Sequence, residues 1–313
     1  MTTGRETRQM IGKIIASLLM VAVVILLLWP GLAAHFRWNQ IISALFNWMH
    51  FPAGVLIFVL LCRRRADGGA LAGTILLLWI LEYLQQFMGR GAQVVDALQG
   101  SAGAVCAFMV MGWTQARGAA GRTALGGGAV VLLLAGLMPV FSAWADYVRM
   151  YRCFPLIAGF ETAAEMRRWE VSGGTLERVP KLATEGRYAA HLAATGADRD
   201  YVGMFTDQLV RDWRGMSALC LDVLVPHGQR PRLWVRVDDQ MVPQPAYGER
   251  FQKRLVLPSG WNRIRIPRSE LEVTPSGRRL ELEHVARMGV FLEAPEAGTE
   301  IYVDNIRLEM PEE

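Results

Sequence analysis

Glu82, Gln85 and Arg90, with Asp96 following, interrupt segments otherwise built from Leu, Ile, Val, Ala, Gly and Trp, and His50 opens another such segment. An imidazole and a carboxylate can move a proton, a second carboxylate can orient the imidazole, and a guanidinium can hold a phosphate or a carboxylate. An ionisable group at membrane depth costs roughly 2.5 to 3.5 kcal/mol even on the lenient insertion scale, so such groups face a cavity or a partner. Three readings stay open for this cluster. It is a binding pocket, the proton-transfer site of an enzyme acting on a lipid headgroup or lipid-linked sugar, or a Glu82–Arg90 ion pair that fixes helix packing with Asp96 as a helix cap.

A second group lies in the other half of the chain. In the run from Leu233 to Asp238 the odd positions are apolar, which places Trp234, Arg236 and Asp238 on the opposite face of a strand. By the same alternation Trp261, Arg263 and Arg265 face away from Ile264 and Ile266. An aromatic plane beside charged hydrogen-bonding groups suits a sugar ring, whose C–H face stacks and whose hydroxyls need partners. The alternative is a solvated sheet face studded with arginine. No close pair of acids in a cleft-like context stands out in this half, which argues against a glycosidase.

The elements that must position these residues divide the chain in two. Apolar runs near 11–29, 46–62, 69–88, 97–115 and 124–144 each approach the roughly 20 residues needed to cross a bilayer, and predict five transmembrane helices within 1–145. Glu82, Gln85 and Arg90 recur at helical spacing and share one stripe. Gly100, Gly103 and Ala104 offer small surfaces for close helix approach. Up to Arg149 the chain carries 11 Lys and Arg against 5 Asp and Glu, and the remainder 22 against 24. The basicity therefore belongs to the membrane half and gives no reason to expect a nucleic-acid partner. Basic residues cluster before helix 1 (Arg5, Arg8, Lys13), after helix 2 (Arg63, Arg64, Arg65) and after helix 4 (Arg117, Arg122). The positive-inside rule then puts the N-terminus in the cytoplasm and the C-terminal half outside. His50, Glu82, Gln85, Arg90 and Asp96 fall in one outward layer.

A connector is expected over 146–154. Beyond it, period-two alternation predicts strands at 187–193, 201–207, 217–225, 231–238, 251–257, 261–267, 286–293 and 300–309, with Gly and Pro in the turns. Many short strands and no helix beyond a turn or two imply an all-β antiparallel jelly-roll sandwich over 155–313. Four cysteines, Cys62, Cys106, Cys153 and Cys220, lack metal-type spacing, and the last two pair or stay as small buried thiols.

Two resemblances follow from these residues. His50, Glu82 with Gln85, Arg90, Asp96 and Gly103 resemble the pattern of the VanZ-like family of small bacterial membrane proteins over about 46–112, although Phe46, Asn47 and Gly100 depart from it. Gly159-Phe160-Glu161, Arg168-Trp169, Gly260-Trp261-Asn262 and the closing Val303-Asp304-Asn305-Ile306-Arg307-Leu308 are similar to carbohydrate-binding jelly rolls attached to glycoside hydrolases, over about 155–310. The second resemblance implies a structural calcium held by Glu161 and Asp304. Together they imply a multi-pass protein of the bacterial inner membrane, with the lipid bilayer and an envelope glycan or lipid-linked saccharide as partners. The remaining reading is a membrane anchor with a partner-docking module.

Overall fold

The computed structural model describes residues 40–62, 65–85, 87, 94–196, 200–240 and 245–311. The chain divides into two compact units, Met1–Ala143 and Trp144–Glu313. The expected first span, 11–29, lies outside the described residues, as does Arg90.

Four helical spans of the described chain are long and apolar enough to cross a membrane. The first joins α1 (Gln40–Trp48) to α2 (His50–Leu61) and starts six residues earlier than the hydropathy of 46–62 predicts. It is followed by α3 (Gly68–Gln85), α4 (Val94–Gln115) and α5 (Ala119–Cys153). Between 11% and 39% of each apolar window is buried, and Leu76, Leu84, Val131 and Phe141 point outward. An apolar exterior of this kind is what a helix surrounded by lipid presents.

Inside the helical unit, α2 and α4 meet backbone to backbone. A Cβ added to Gly54 would stand 1.9 Å from the Gly100 carbonyl oxygen, and one added to Gly103 would stand 2.0 Å from that of Phe51. Ala104 is fully buried beside Phe58, so small residues set this contact, as expected for helices whose association rests on packing rather than on water exclusion.

Helix α5 corrects one expectation. The predicted connector 146–154 is helical through Cys153. Its last turns, within the second unit, are fastened by Asp146, whose Oδ2 lies 3.2 Å from Arg168 Nε, with Arg168 Nη2 3.5 Å from Glu165 Oε1. All three side chains are buried, so the positive charge of Arg168 stands between two acids. All four cysteines are free thiols, and burial pushes the Cys220 thiol up.

The second unit is an antiparallel β-sandwich. Its strands are β1 (Leu156–Ala158), β2 (Glu170–Ser172), β3 (Gly174–Pro180), β4 (Tyr188–Ala194), β5 (Tyr201–Thr206), β6 (Ala218–Val225), β7 (Arg232–Asp238), β8 (Phe251–Val256), β9 (Gly260–Pro267), β10 (Arg287–Glu293) and β11 (Glu300–Glu309). One sheet runs β3-β4-β11-β6-β9 with β1 also on β11, and the other β2-β5-β10-β7-β8. Alternate residues of both sheets, such as Leu219, Leu221 and Val223 on β6 and Leu233, Val235 and Val237 on β7, are fully buried and form the core. A bulge in β11 at Asn305, φ +50°, lets β4 pair with the first half of that strand and β1 with the second. Short α-helical turns stand at Ala163–Met166 and Arg268–Leu271.

Candidate functional site

The helical unit gathers the polar residues of three elements. His50 is the first residue of α2, Glu82 and Gln85 lie in the last turn of α3, and Asp96 is in the first turn of α4, where a carboxylate is favoured by the helix dipole. All four are buried, at 5%, 6%, 2% and 3% exposure. His50 Nδ1 lies 2.9 Å from the Asn47 carbonyl oxygen, and Nε2 lies 3.7 Å from Asp96 Oδ2. One ligand atom each of His50, Glu82 and Asp96 falls within 4.8 Å of the other two. The structure thus brings His50, Glu82 and Asp96 together, with Gln85 buried in the same turn of α3 as Glu82.

The sandwich carries a cleft on the outer face of the β2-β5-β10-β7-β8 sheet. It encloses about 390 Å³ and is lined by Tyr201, Phe205, Trp234, Arg236, Tyr247, Arg250 and their neighbours. A second hollow of about 320 Å³ shares Tyr201, Phe205 and Arg236 with it and reaches Glu170 on β2. Together they cross all five strands, roughly 19 Å at about 4.8 Å per strand spacing.

The floor of this cleft is built from rings laid over glycines. Register pairs Phe291 of β10 with Gly203 of β5 and Trp234 of β7, and Phe205 of β5 with Gly289 of β10. A Cβ at Gly289 would stand 2.1 Å from Phe205 Cδ1, and one at Gly203 2.3 Å from Phe291 Cβ. The two glycines are what allow the rings to lie across adjacent strands. The Trp234 and Phe291 rings are parallel, 3° apart with centroids at 6.0 Å, and Phe205 continues the row at 5.9 Å. Tyr201 closes edge-on against both phenylalanines. Trp234 Nε1 donates to Glu293 Oε2 at 3.1 Å, and Arg254 Nε donates to the same oxygen at 2.7 Å. The Trp234 bond first and the Arg254 bond next hold the Glu293 carboxyl below its ordinary range.

Arg236 and Asp238 share the face of Trp234 as alternation requires, but both are buried, and Asp238 takes Arg236 Nε and Nη2 at 2.9 and 2.6 Å. Asp238 therefore serves to hold the guanidinium. Arg250 differs: its Nε is buried without a hydrogen bond, and burial, then Arg236, pulls its pKa down from the ordinary arginine value. It is a cleft-lining cation with no carboxylate within ion-pair distance among the described residues.

Trp261, Arg263 and Arg265 lie on β9, in the other sheet. They face outward as expected, with Trp261 43% exposed and Arg265 paired to Glu309, but share no cleft with Trp234. Tyr201, Phe205, Phe291 and Arg250 escape sequence reasoning, because only the register of strands distant in sequence brings them together.

One wall of the cleft hangs on Asp239. Arg278 donates to both its oxygens at 2.7 Å, and the Glu281 amide donates at 2.8 Å, while Arg278 also bonds the Glu249 carbonyl beside Arg250. Burial works to raise the Asp239 pKa, but the hydrogen bonds from Arg278 and Glu281 outweigh it and leave the group below its ordinary value. A carboxyl depressed in the folded state stabilises it above the unfolded pKa, near 3.9, and loses that stabilisation as pH falls through the folded value. Thermal melts of the purified protein are expected to be flat from pH 7 to 5 in this contribution and to fall below about pH 4. Asp239→Asn is expected to lower stability at pH 7 by about 2 kcal/mol and to weaken the acid dependence.

Glu161 and Asp304 grip the same turn from the two ends of the sandwich chain. Glu161 Oε1 accepts the amides of Arg187 and Tyr188 at 2.7 and 3.0 Å, and Asp304 Oδ2 those of Thr184 and Glu185 at 2.7 and 3.0 Å. Burial pushes the Asp304 carboxyl up, and Asp304 Oδ1 and Asn305 Oδ1 are buried without a hydrogen bond among the described residues. Hard oxygens lacking donors are what a calcium ion takes, and the two here belong to Asp304 and Asn305.

No family model matches the chain, and no curated protein matches it. Solved structures do. A family 11 carbohydrate-binding module from Clostridium thermocellum, in complex with a β-1,3-1,4-mixed-linked tetrasaccharide, is 20% identical over 50% of this chain and 96% of that one, with a TM-score of 0.40. A family 28 module specific for non-crystalline cellulose is 13% identical over 50% and 95%, at 0.35. An exo-β-agarase is 16% identical over 50% of this chain and 26% of its own, at 0.40. The chain joins apolar helices of membrane-spanning length to a β-sandwich that is similar to carbohydrate-binding modules.

Proposed function

We propose that the protein is a membrane-anchored glycan-binding protein of the bacterial envelope, its VanZ-like helical unit holding a polar pocket and its sandwich presenting a saccharide cleft outside the cytoplasm. The observation that carries this reading is the floor formed by Trp234, Phe291 and Phe205 with Tyr201 at its edge. Aromatic faces stack on the C–H faces of sugars, and Arg250, uncommitted to a carboxylate among the described residues, is the donor available to a hydroxyl or an acidic substituent. Envelope glycans and lipid-linked saccharides are the ligand class.

The membrane part of the reading is supported by the four apolar spans and by the proximity of His50, Glu82 and Asp96, three of the positions that carry the resemblance to the VanZ-like pattern. Detergent-purified full-length protein on a glycan array is expected to retain polysaccharide or oligosaccharide probes, and an array with no bound glycan would overturn the reading. A periplasm-active reporter fused after Glu313 is expected to be active. Activity only from a cytoplasm-active reporter would reverse the orientation.

Calcium belongs to the same proposal. Glu161 and Asp304 would hold it, and bound there it would clamp the opening of the sandwich chain to its closing strand. Added calcium is then expected to raise the melting temperature of chelator-treated protein, and Asp304→Asn to abolish the rise. A melt indifferent to calcium would remove the ion from the account.

A further inference from the structure

We propose that His50, Glu82 and Asp96 form a binding site for a divalent transition cation, with Zn2+ as its probe. The three side chains arrive from α2, α3 and α4, and one ligand atom of each lies within 4.8 Å of the other two. The inference is independent of the cleft on the sandwich.

The orientation of His50 carries the argument. A carbonyl oxygen only accepts, so the 2.9 Å contact with the Asn47 carbonyl places the ring proton on Nδ1. That leaves Nε2, buried and without a hydrogen bond, directed toward Asp96 Oδ2 at 3.7 Å. A hydrogen bond between them would be about 2.7–3.2 Å long. Two ligands on a tetrahedral ion with bonds of about 2.1 Å stand roughly 3.4 Å apart, close to the observed separation. Nε2 and the carboxylate oxygen need a cation between them, a second ring proton or a metal ion, and at 3.7 Å they stand farther apart than a hydrogen bond would hold them. The Nδ1–H to carbonyl bond is also the usual outer contact of a metal-bound histidine, fixing the tautomer and aiming the ring.

One nitrogen and two carboxylate oxygens suit Zn2+ or Mn2+ better than a soft ion such as Cu+. Three protein ligands leave a position for water or a ligand oxygen, the arrangement of reactive rather than purely structural zinc sites. Such an ion would polarise a phosphate or carbonyl oxygen presented to it.

The test uses full-length protein in detergent, stripped with chelator and then loaded with Zn2+ alone. Calorimetry is expected to show one equivalent bound, with affinity lowered 10- to 100-fold or more in His50→Gln and Asp96→Asn. X-ray absorption of the wild-type zinc form is expected to show one imidazole nitrogen with oxygen ligands, a readout that does not require the variants to fold. No zinc bound by wild-type protein, a sulfur-containing shell, or affinity unchanged in folded His50→Gln would overturn the proposal.

Discussion

Trp234→Ala is expected to weaken binding of the glycan selected on the array by about thirtyfold, near 2 kcal/mol, in calorimetry with full-length protein. The ring lies parallel to Phe291, and its Nε1–H satisfies Glu293. Truncation therefore removes a stacking surface and one of the two bonds that position an acid at the cleft edge. Trp261→Ala, on the outer face of the opposite sheet, is the matched control and is expected to leave affinity unchanged. The reverse pattern would move the binding surface to the β9 face, where Arg263 and Arg265 stand beside Trp261.

The second large effect belongs to the helices. Gly103→Ala places a methyl group 2.0 Å from the Phe51 carbonyl oxygen, and backbone cannot rotate aside as a side chain can. The helices must separate, at a cost of about 3 kcal/mol, and α2 carries His50 away from Asp96 as they do. The melting temperature of the detergent-purified protein is expected to fall by several degrees. Gly127→Ala in α5, where an added Cβ meets nothing within 4 Å, is expected to leave it unchanged or to raise it slightly through helix propensity. Equal melts for the two variants would show that α2 and α4 are not closely packed in the protein.

Much of this architecture was legible from residue order, and the exceptions have physical causes. Eight strands of the sandwich follow directly from alternation, because in each the core-facing positions recur every second residue. Strands β1, β2 and β3 escape it: two are only three residues long, and β3 mixes half-buried with exposed positions and ends in Pro180. Helix α5 outruns its apolar core because Asp146 and Arg149, read as the start of a connector, are compatible with helix once Asp146 is paired to Arg168. The polar cluster was readable because charge inside an apolar run is conspicuous. The cleft was readable only through Trp234. Phe205 is 7% exposed and reads as core, and nothing in local order tells that β5 and β10 are neighbours.

The rings laid over glycines make the floor of the cleft resistant to piecemeal change. Enlarging Gly289 without reducing Phe205 drives a Cβ into its ring, so that pair varies only by coordinated replacement, and a Cβ at Gly203 meets the Phe291 Cβ, which any residue but glycine there would carry. Single substitutions are tolerated more readily at Tyr201, Tyr247 and Arg250, which line the cleft outside these ring-on-glycine pairs. Related chains are therefore expected to keep a common floor to the cleft and to diverge along its margins.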